Sequence, residues 1–324
     1  MSGRRVVVLG ATGFVGRHVA DACAAAGHDV LGVSRSASRA TGRAAARLDL
    51  AAATVGDLAD FLAAHRPDVL VNAAGTVWQA DEQRMRELND AFVHRLVTAL
   101  AEHARPVRLV HLGTVHEYGP ASVGIYGRTK LRGTRQVLAA SRDGLDAVTL
   151  RLANAFGPGA PSRSLLGKVA GELIRQDEPA PSGRELRLAP LTAHRDFVDV
   201  RDVADAALAA AVAPQDTMRG RIIEIGRGQA VSVRLLVRKL IDLSGLAVRL
   251  VEDQRPDGAR VGAEWQRTDI TTARRLLAWC PSRTLDESLR DLLESVRRSG
   301  EGHRRPRPET GAAEVVTFPA AAPS

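Results

Sequence analysis

Two tyrosines and three lysines occur in the 324 residues, and one of each stands in Tyr126-Gly127-Arg128-Thr129-Lys130. On a helix this i, i+4 spacing puts Tyr126 and Lys130 on one face. An ammonium beside a phenol favours the phenolate and lowers a pKa that starts near 10. That makes a tyrosine usable as an acid or base near neutral pH. With so few residues of either type, a chance Tyr-x-x-x-Lys is expected only about 2% of the time. The other tyrosine, Tyr118, has Ser122 at that spacing. The sequence therefore predicts a proton-transfer pair at Tyr126 and Lys130.

A second chemical signal lies in Val6-Val7-Val8-Leu9-Gly10-Ala11-Thr12-Gly13-Phe14-Val15-Gly16. The branched apolar run reads as a buried parallel strand, and glycines follow at i, i+3 and i+6. Arg17 to Ala26 then carries Val19, Cys23 and Ala26 on one helical face and closes at Gly27. Gly10 permits the tight turn, Gly13 lets a pyrophosphate approach the backbone, and Gly16 lets helix and strand pack closely. Phosphates would sit at the helix N-terminus, against unpaired N–H groups and the positive end of the dipole. The turn from Gly10 to Gly16, with Thr12, Phe14 and Val15, is thus a predicted dinucleotide site.

The elements that would carry these groups alternate strand and helix, which predicts an α/β fold with a Rossmann-type doubly wound parallel sheet. Asp29 to Val33 is a second strand ending in Ser34-Arg35. An acid at this point would accept hydrogen bonds from the adenosine ribose and select NAD. Ser34 and Arg35 instead offer a donor and a cation to a 2′-phosphate, which predicts NADP(H). Ala45 to Leu50 gives a third strand whose Asp49 and Leu50 would contact adenine, and Val55 to His65 reads as an amphipathic helix. A fourth strand, Asp68 to Val71, runs into Asn72-Ala73-Ala74-Gly75, whose small residues leave room for a cofactor. Glu87 to His103 is a helix, and Val107 to Leu112 a strand delivering Gly113 and Thr114 to the same sheet edge. Tyr126 to about Ala140 is the next helix, and Ala147 to Leu150 the sixth strand.

Beyond Pro158 the alternation weakens. Segment 159–194, with Pro161, Pro179 and Pro181, reads as loop-rich and as part of a smaller C-terminal substrate-binding lobe. Asp196 to Val200 and Ile222 to Gly226 read as strands, Val203 to Val212 as a helix, and Ser232 as the cap of a helix ending at Ser244. Val248 to Val251 is a short strand, and two further helices end near Arg298. The expected organisation is a cofactor domain over 1–158, to which 196–214 returns, a discontinuous lobe over 159–298, and a disordered tail over 299–324.

The net charge of +8 is carried almost wholly by arginine. Scattered arginines and 3% aromatic residues argue against a nucleic-acid partner and for an anionic small ligand. No apolar run reaches the length of a membrane span. Cys23 and Cys280 lie far apart and offer neither a disulfide framework nor metal spacing, which fits a reducing cytoplasm and no metal.

Taken in order, Gly10-x-x-Gly13-x-x-Gly16, Asn72-Ala73-Ala74-Gly75, Thr114 and Tyr126-x-x-x-Lys130 resemble the extended short-chain dehydrogenase/reductases, from about residue 4 to 298. Within them the chain looks like the epimerase/dehydratase/ketoreductase group acting on sugar nucleotides. The resemblance implies that Thr114, four residues before Tyr118-Gly119, is the catalytic hydroxyl. It implies that Asn89 stands beside the active-site lysine, and that Lys130 also holds the nicotinamide ribose. Asn154, the arginine of Arg195-Asp196-Phe197-Val198, and Arg255 before Pro256-Asp257-Gly258 would bind the substrate diphosphate, which suits guanidinium–phosphate pairing. An interlobe salt bridge is the other reading of Arg195. The helices at Glu87 and Tyr126 pair across a two-fold axis in this family, which implies a homodimer.

One departure is visible: only Pro120 to Ile125 separate Tyr118-Gly119 from Tyr126, where relatives carry a longer loop, so the wall facing the sugar should be thinner. A dehydratase of this group carries Thr-Asp-Glu where this chain has Thr114-Val115-His116, so both carboxylates needed to remove water are absent. The runs from Leu112 to Pro120, Tyr126 to Leu131 and Arg195 to Val200 resemble actinobacterial enzymes that reduce the 4-keto group of dTDP-4-keto-6-deoxyhexoses for antibiotic glycosylation. An epimerase, with His116 as a base or substrate contact, is the alternative. A non-catalytic NADP-sensing regulator is another, against which the retained Tyr126/Lys130 pair argues.

Overall fold

The structure is a computed structural model, and residues 3–35, 44–76, 81–118, 124–175, 184–253 and 265–304 are described. The chain opens with β1 (Arg5–Leu9), α1 (Phe14–Ala25), β2 (Asp29–Ser34), β3 (Ala44–Arg47), α2 (Val55–His65) and β4 (Val69–Asn72). It continues with α3 (Glu82–Arg86), one π-helical turn at Glu87–Ala91, and α4 (Phe92–Glu102). Next come β5 (Arg108–Thr114), a 3₁₀ turn at Val115–Glu117, α5 (Gly124–Arg142) and β6 (Ala147–Leu152). The second half comprises β7 (Asn154–Phe156), α6 (Leu165–Arg175), β8 (Arg184–Leu188), β9 (His194–Asp199), α7 (Val200–Val212) and α8 (Gln215–Met218). It ends with β10 (Arg221–Ile225), β11 (Ala230–Ser232), α9 (Val233–Ser244), β12 (Val248–Glu252), α10 (Thr271–Leu277) and α11 (Leu285–Arg304).

Seven strands form one sheet in the order β10-β6-β5-β4-β1-β2-β3, every neighbouring pair parallel. Strands buried on both faces need apolar side chains throughout, and Val6 to Leu9 and Val69 to Val71 supply them. One apolar core lies under α1 and α7, around Val19, Cys23, Val203 and Ala207. The other lies under α2, α4 and α5, around Leu58, Phe92, Leu96 and Val137. The chain order reverses between β1 and β4, and the crevice outside their carboxyl ends is where a doubly wound sheet takes its ligand. A third core, around Leu173, Phe197, Leu236 and Leu292, belongs to α6, α9 and α11 with a three-stranded sheet β11-β9-β7 and a parallel pair β12-β8.

Two local expectations hold. The helix expected over Val55 to His65 is α2, whose start carries a reciprocal cap that sequence reasoning did not single out: Asp57 N donates to Thr54 Oγ1 at 3.1 Å and Thr54 N to Asp57 Oδ2 at 2.9 Å. Ser232 accepts from Leu235 N at 3.4 Å at the start of α9.

Four expectations do not hold. Segment 159–194 is not merely loop: Leu166, Val169, Ala170 and Leu173 form the buried face of α6, and β8 follows. The helix expected from Glu87 begins at Glu82, because Asp81 caps it by accepting from Arg84 N at 2.7 Å. The strand at 222–225 joins the main sheet beside β6. Of the expected disordered tail, residues 299–304 are the last turn and more of α11, and 305–324 lie outside the described residues. Among the described residues no helix is long and apolar enough to cross a membrane.

Candidate active site

The turn after β1 is built by backbone alone. Gly10 and Ala11 donate to Val33 O at 2.9 and 3.2 Å, and Gly13 N closes on Gly10 O at 2.9 Å. Gly10 has φ 78°, and a Cβ there would lie 3.0 Å from the carbonyl of Ala73 and the backbone of Ala74. A Cβ on Gly16 would strike the Gly10 carbonyl, so Gly16 serves the helix–strand contact and not the ligand directly. Gly13 caps α1 without a side chain, and no acid sits in the first turn, so the helix N-terminus is left to an anion.

From this turn a cleft runs in both directions. Its adenosine-sized end, about 370 Å³, is lined by Gly10, Thr12, Gly13, Ser34, Arg35, Asp49 and Leu50 together with Arg84 and Leu88. Its other end, about 340 Å³, is lined by Phe14, Val15, Leu112, Gly113, Tyr126 and Lys130. Gly13 and the segment Ala73 to Thr76 border both, which makes them one groove of the size a dinucleotide needs. A glycine cradle, a free helix N-terminus and a two-ended groove fit NAD(P).

Two residues expected to touch the cofactor stand behind the groove. Asn72 is fully buried: its Oδ1 accepts from Ala74 N at 3.2 Å, and its Nδ2 meets His111 Nδ1 at 3.1 Å. It shapes the strand end; burial keeps it from a ligand. Asn89, in the π-helical turn, accepts from Thr76 N at 3.1 Å and donates to Thr76 O at 3.0 Å and Thr129 Oγ1 at 3.2 Å. It clamps the floor of the cleft to α5, and a π-bulge at such a place is a common functional device.

Tyr126 and Lys130 come from the first turns of α5, and Thr114 ends β5. Lys130 Nζ is buried and donates to Leu112 O at 2.5 Å. Burial lowers its pKa to about 8, opposed by the charge of Glu117. Burial pushes Tyr126 up to about 12; a hydrogen bond from Thr114 pulls it down and Glu117 pushes it up. The expectation that Lys130 lowers the Tyr126 phenol is therefore corrected: desolvation of both groups outweighs what i, i+4 spacing implies. His116 N donates to Thr114 Oγ1 at 3.3 Å, leaving the hydroxyl proton of Thr114 for Tyr126 or a ligand oxygen.

On the substrate side His116 lies with its ring 6.0 Å from that of Tyr126. Burial, then Arg195, lowers its pKa, while Asn154 hydrogen-bonds it. Asn154 Nδ2 also donates to Asp196 O at 2.9 Å and Gln266 Oε1 at 3.1 Å. Arg195 Nη1 reaches His194 O at 3.2 Å and its field reaches His116, so Arg195, Asn154 and His116 do converge. Arg255 and residues 119–123 of the short loop lie outside the described residues.

Sequence reasoning missed Arg84, Gln266, Glu117, Arg151 and Glu224. Arg84 was discoverable: Arg84 and Leu88 are one helical turn apart once Asp81 is recognised as the cap. Glu117 accepts from Thr114 N at 2.8 Å and Thr134 Oγ1 at 3.1 Å, and pairs with Arg151 Nε at 3.0 Å. Arg151 Nη1 reaches Glu224 Oε1 at 3.1 Å. Thr114-x-x-Glu117 has the spacing of a capping box and was legible, whereas Arg151 and Glu224 are distant in sequence and no local pattern joins them to Glu117.

With this geometry in hand, comparison with known proteins decides the family. The sequence profile of the NAD dependent epimerase/dehydratase family matches residues 6–226. The chain belongs to that family. It is 42% identical over 306 residues to a dTDP-6-deoxy-L-talose 4-dehydrogenase (NAD(P)(+)) of Kitasatospora kifunensis, covering 89% of this chain and 94% of the relative. It is 29% identical to a UDP-glucose 4-epimerase of Azospirillum brasilense, over 78% of this chain and 81% of that one. The fold matches that of RMD from Pseudomonas aeruginosa complexed with NADPH, with a TM-score of 0.75 and 22% identity over 91% of this chain and 99% of that one. The chain is thus an NAD(P)-dependent oxidoreductase of the extended short-chain dehydrogenase/reductase type, and its curated relatives act on nucleotide sugars.

Proposed function

We propose that this enzyme uses NADPH to reduce the 4-keto group of a dTDP-4-keto-6-deoxyhexose, in a cytoplasmic route to deoxysugars for antibiotic glycosylation. The observation that carries the reading is Tyr126 and Lys130 at one end of a dinucleotide groove, Tyr126 hydrogen-bonded by Thr114, with Val115 and His116 where a dehydratase needs two carboxylates. The relative from Kitasatospora kifunensis is named for dehydrogenation at C-4. Oxidation of a 4-hydroxyl is the reverse of 4-keto reduction and uses the same groups.

The cofactor, when bound, supplies the hydride. Tyr126 gives its phenolic proton to the carbonyl oxygen as carbon accepts that hydride, so C=O becomes CH–OH and the phenolate is left to be reprotonated. Its high pKa keeps the proton in place across neutral pH. Thr114 donates a hydrogen bond to the oxygen as charge develops there. Lys130, positively charged below about pH 8, stabilises the phenolate that forms and holds the nicotinamide ribose. Asn154, Arg195 and Arg255 hold the diphosphate, and His116 borders the sugar. Ser34 and Arg35, which line the adenosine end, favour the 2′-phosphate of NADPH.

The test follows NADPH absorbance with the 4-keto sugar nucleotide generated in situ. Substrate-dependent oxidation is expected. Absence of oxidation combined with solvent exchange at C-5 would replace the reading by epimerisation. The groove between α4 and α5, lined by Val97, Ala101, Gln136 and Ala140, suits a homodimer with an isologous four-helix contact. Light scattering at micromolar concentration should return twice the 34.5 kDa chain mass.

A further inference from the structure

Behind Thr114 lies a buried charge cluster that the reaction above does not use. The Glu117 side chain has no exposure, and all its partners are fixed: Thr114 N, Thr134 Oγ1 and Arg151 Nε. Arg151 in turn bridges to Glu224, while Tyr118 lays its ring 4.5 Å from the guanidinium carbon and donates its hydroxyl to Glu224. Two carboxylates and one guanidinium leave a net negative charge behind the catalytic pair. A buried ion set of this kind is weak evidence for stability, because desolvation cancels much of its attraction. Its position suggests a different purpose.

We infer that Glu117 is a positioning residue for the reduction: its carboxylate locks the backbone of Thr114 and sets the charge felt by Tyr126 and Lys130, with Arg151 as its counter-ion. Two routes lead from Glu117 to the reacting atoms. One is steric. Thr114 N is held by Oε1 and His116 N is held by Thr114 Oγ1, so the reciprocal cap fixes the Thr114 backbone and leaves its hydroxyl proton to Tyr126 or a ligand oxygen. The other is electrostatic. Burial is the main influence on both Tyr126 and Lys130, and in each case the Glu117 charge acts to keep the proton on. The remaining groups around the pair are the neutral, buried His111 from β5, His116 from the 3₁₀ turn, and Arg151 and Glu224 from β6 and β10. Arg195 faces His116 from β9.

The inference rests on the proposed reaction for its rate effects, and on the phenol alone for its electrostatic core. The chain has two tyrosines, so Tyr118→Phe leaves Tyr126 as the only phenol. In that background, with full-length protein and NADP bound, carbon-13 labelled tyrosine reports the Tyr126 titration directly by NMR. Glu117→Gln should move the midpoint down by roughly half a pH unit or more, since a nearby negative charge is removed. In the otherwise native chain Glu117→Gln should lower kcat about tenfold, with KM and the NADPH Kd within about twofold, since binding is untouched. The alkaline limb of kcat, set first by Lys130 losing its charge near pH 8, should also move down because Glu117 helps keep that proton on, and Glu117→Asp should restore the limb. Should Glu117→Gln not fold, Glu117→Leu with Arg151→Met and Glu224→Gln removes the whole ion set, leaves no carboxylate unpaired, and should again move the phenol midpoint down. An unmoved phenol midpoint in a folded variant overturns the inference while leaving the reduction standing. Absence of any ketosugar turnover overturns the proposed reaction while the phenol titration still reports on Glu117.

Discussion

The two ends of the cleft handle charge in opposite ways. At the glycine-turn end there is no acid in the first turn of α1, and its uncapped N-terminus follows a turn that three glycines shape. At the Tyr126 end Lys130, Glu117 and Arg151 are buried and Glu224 nearly so, Arg151 pairs with both carboxylates, and burial first and the Glu117 charge second act on the protons of Tyr126 and Lys130. A backbone site needs seven consecutive residues and tolerates its surroundings. The side-chain cluster draws its partners from β5, the 3₁₀ turn, α5, β6 and β10, so removing one is expected to disturb the others. The difference teaches that ligand grip here is local while chemistry is global.

The strongest test of that contrast is Tyr126→Phe. Turnover should fall by about 10²–10⁴, the range for a lost general acid, while NADPH affinity measured by fluorescence titration stays within about twofold. Equal losses of both would mean the two ends are not separable. Next is Arg151→Met, which leaves Glu117 buried without its counter-ion. It should cost about 3–5 kcal/mol in denaturant unfolding, far more than an exposed arginine would. Third, Gly10→Ala forces an alanine to φ near 78° against the backbone of Ala73 and Ala74. A loss of about 1–3 kcal/mol is expected, seen as weaker NADPH binding and a lower Tm, with kcat at saturation kept.

The same contrast explains what the sequence could reveal. β1, the glycine turn and α1 were legible because a buried strand, a positive-φ glycine and an amphipathic helix each have a short period. Tyr126 and Lys130 were legible by rarity and spacing. The sign of their pKa shifts was not, because it depends on burial that no i, i+4 relation encodes. Glu117 and Arg151 are 34 residues apart, and Arg151 and Glu224 are 73 apart, so only the fold makes them neighbours. Inside 159–194 the helical period of Leu166, Val169, Ala170 and Leu173 was present but was outweighed by flanking prolines. Asn72 and Asn89 were placed in the right neighbourhood, Asn89 near Lys130 beside Gly75, but their bonds to Ala74, His111, Thr76 and Thr129 come from elements that only the fold brings together.

The smallest expected effect sharpens the comparison most finely, because it concerns the one place where the glycine-turn end relies on side-chain charge. Arg35 follows the end of β2 and lines the adenosine end of the groove with Ser34, while Arg84 reaches the same end from α3. Arg84 is tied to Asp49 at 3.8 Å and Glu87 at 3.4 Å, so its charge is shared with two acids at this end of the groove. Arg35→Ala should therefore weaken NADPH about tenfold, roughly the worth of one exposed guanidinium–phosphate contact, and leave NADH within about twofold. Raising the salt should shrink the NADPH effect, since an exposed pair is screened over about 10 Å at 0.1 M. Arg84→Ala should weaken both cofactors alike, because both carry adenine and only one carries the 2′-phosphate. Parallel titrations of the two cofactors against the two variants give four affinities. If Arg35→Ala lowers both cofactors equally, Arg35 grips the shared part of the dinucleotide, and the selectivity for NADPH has to come from Ser34 or from the backbone of the turn.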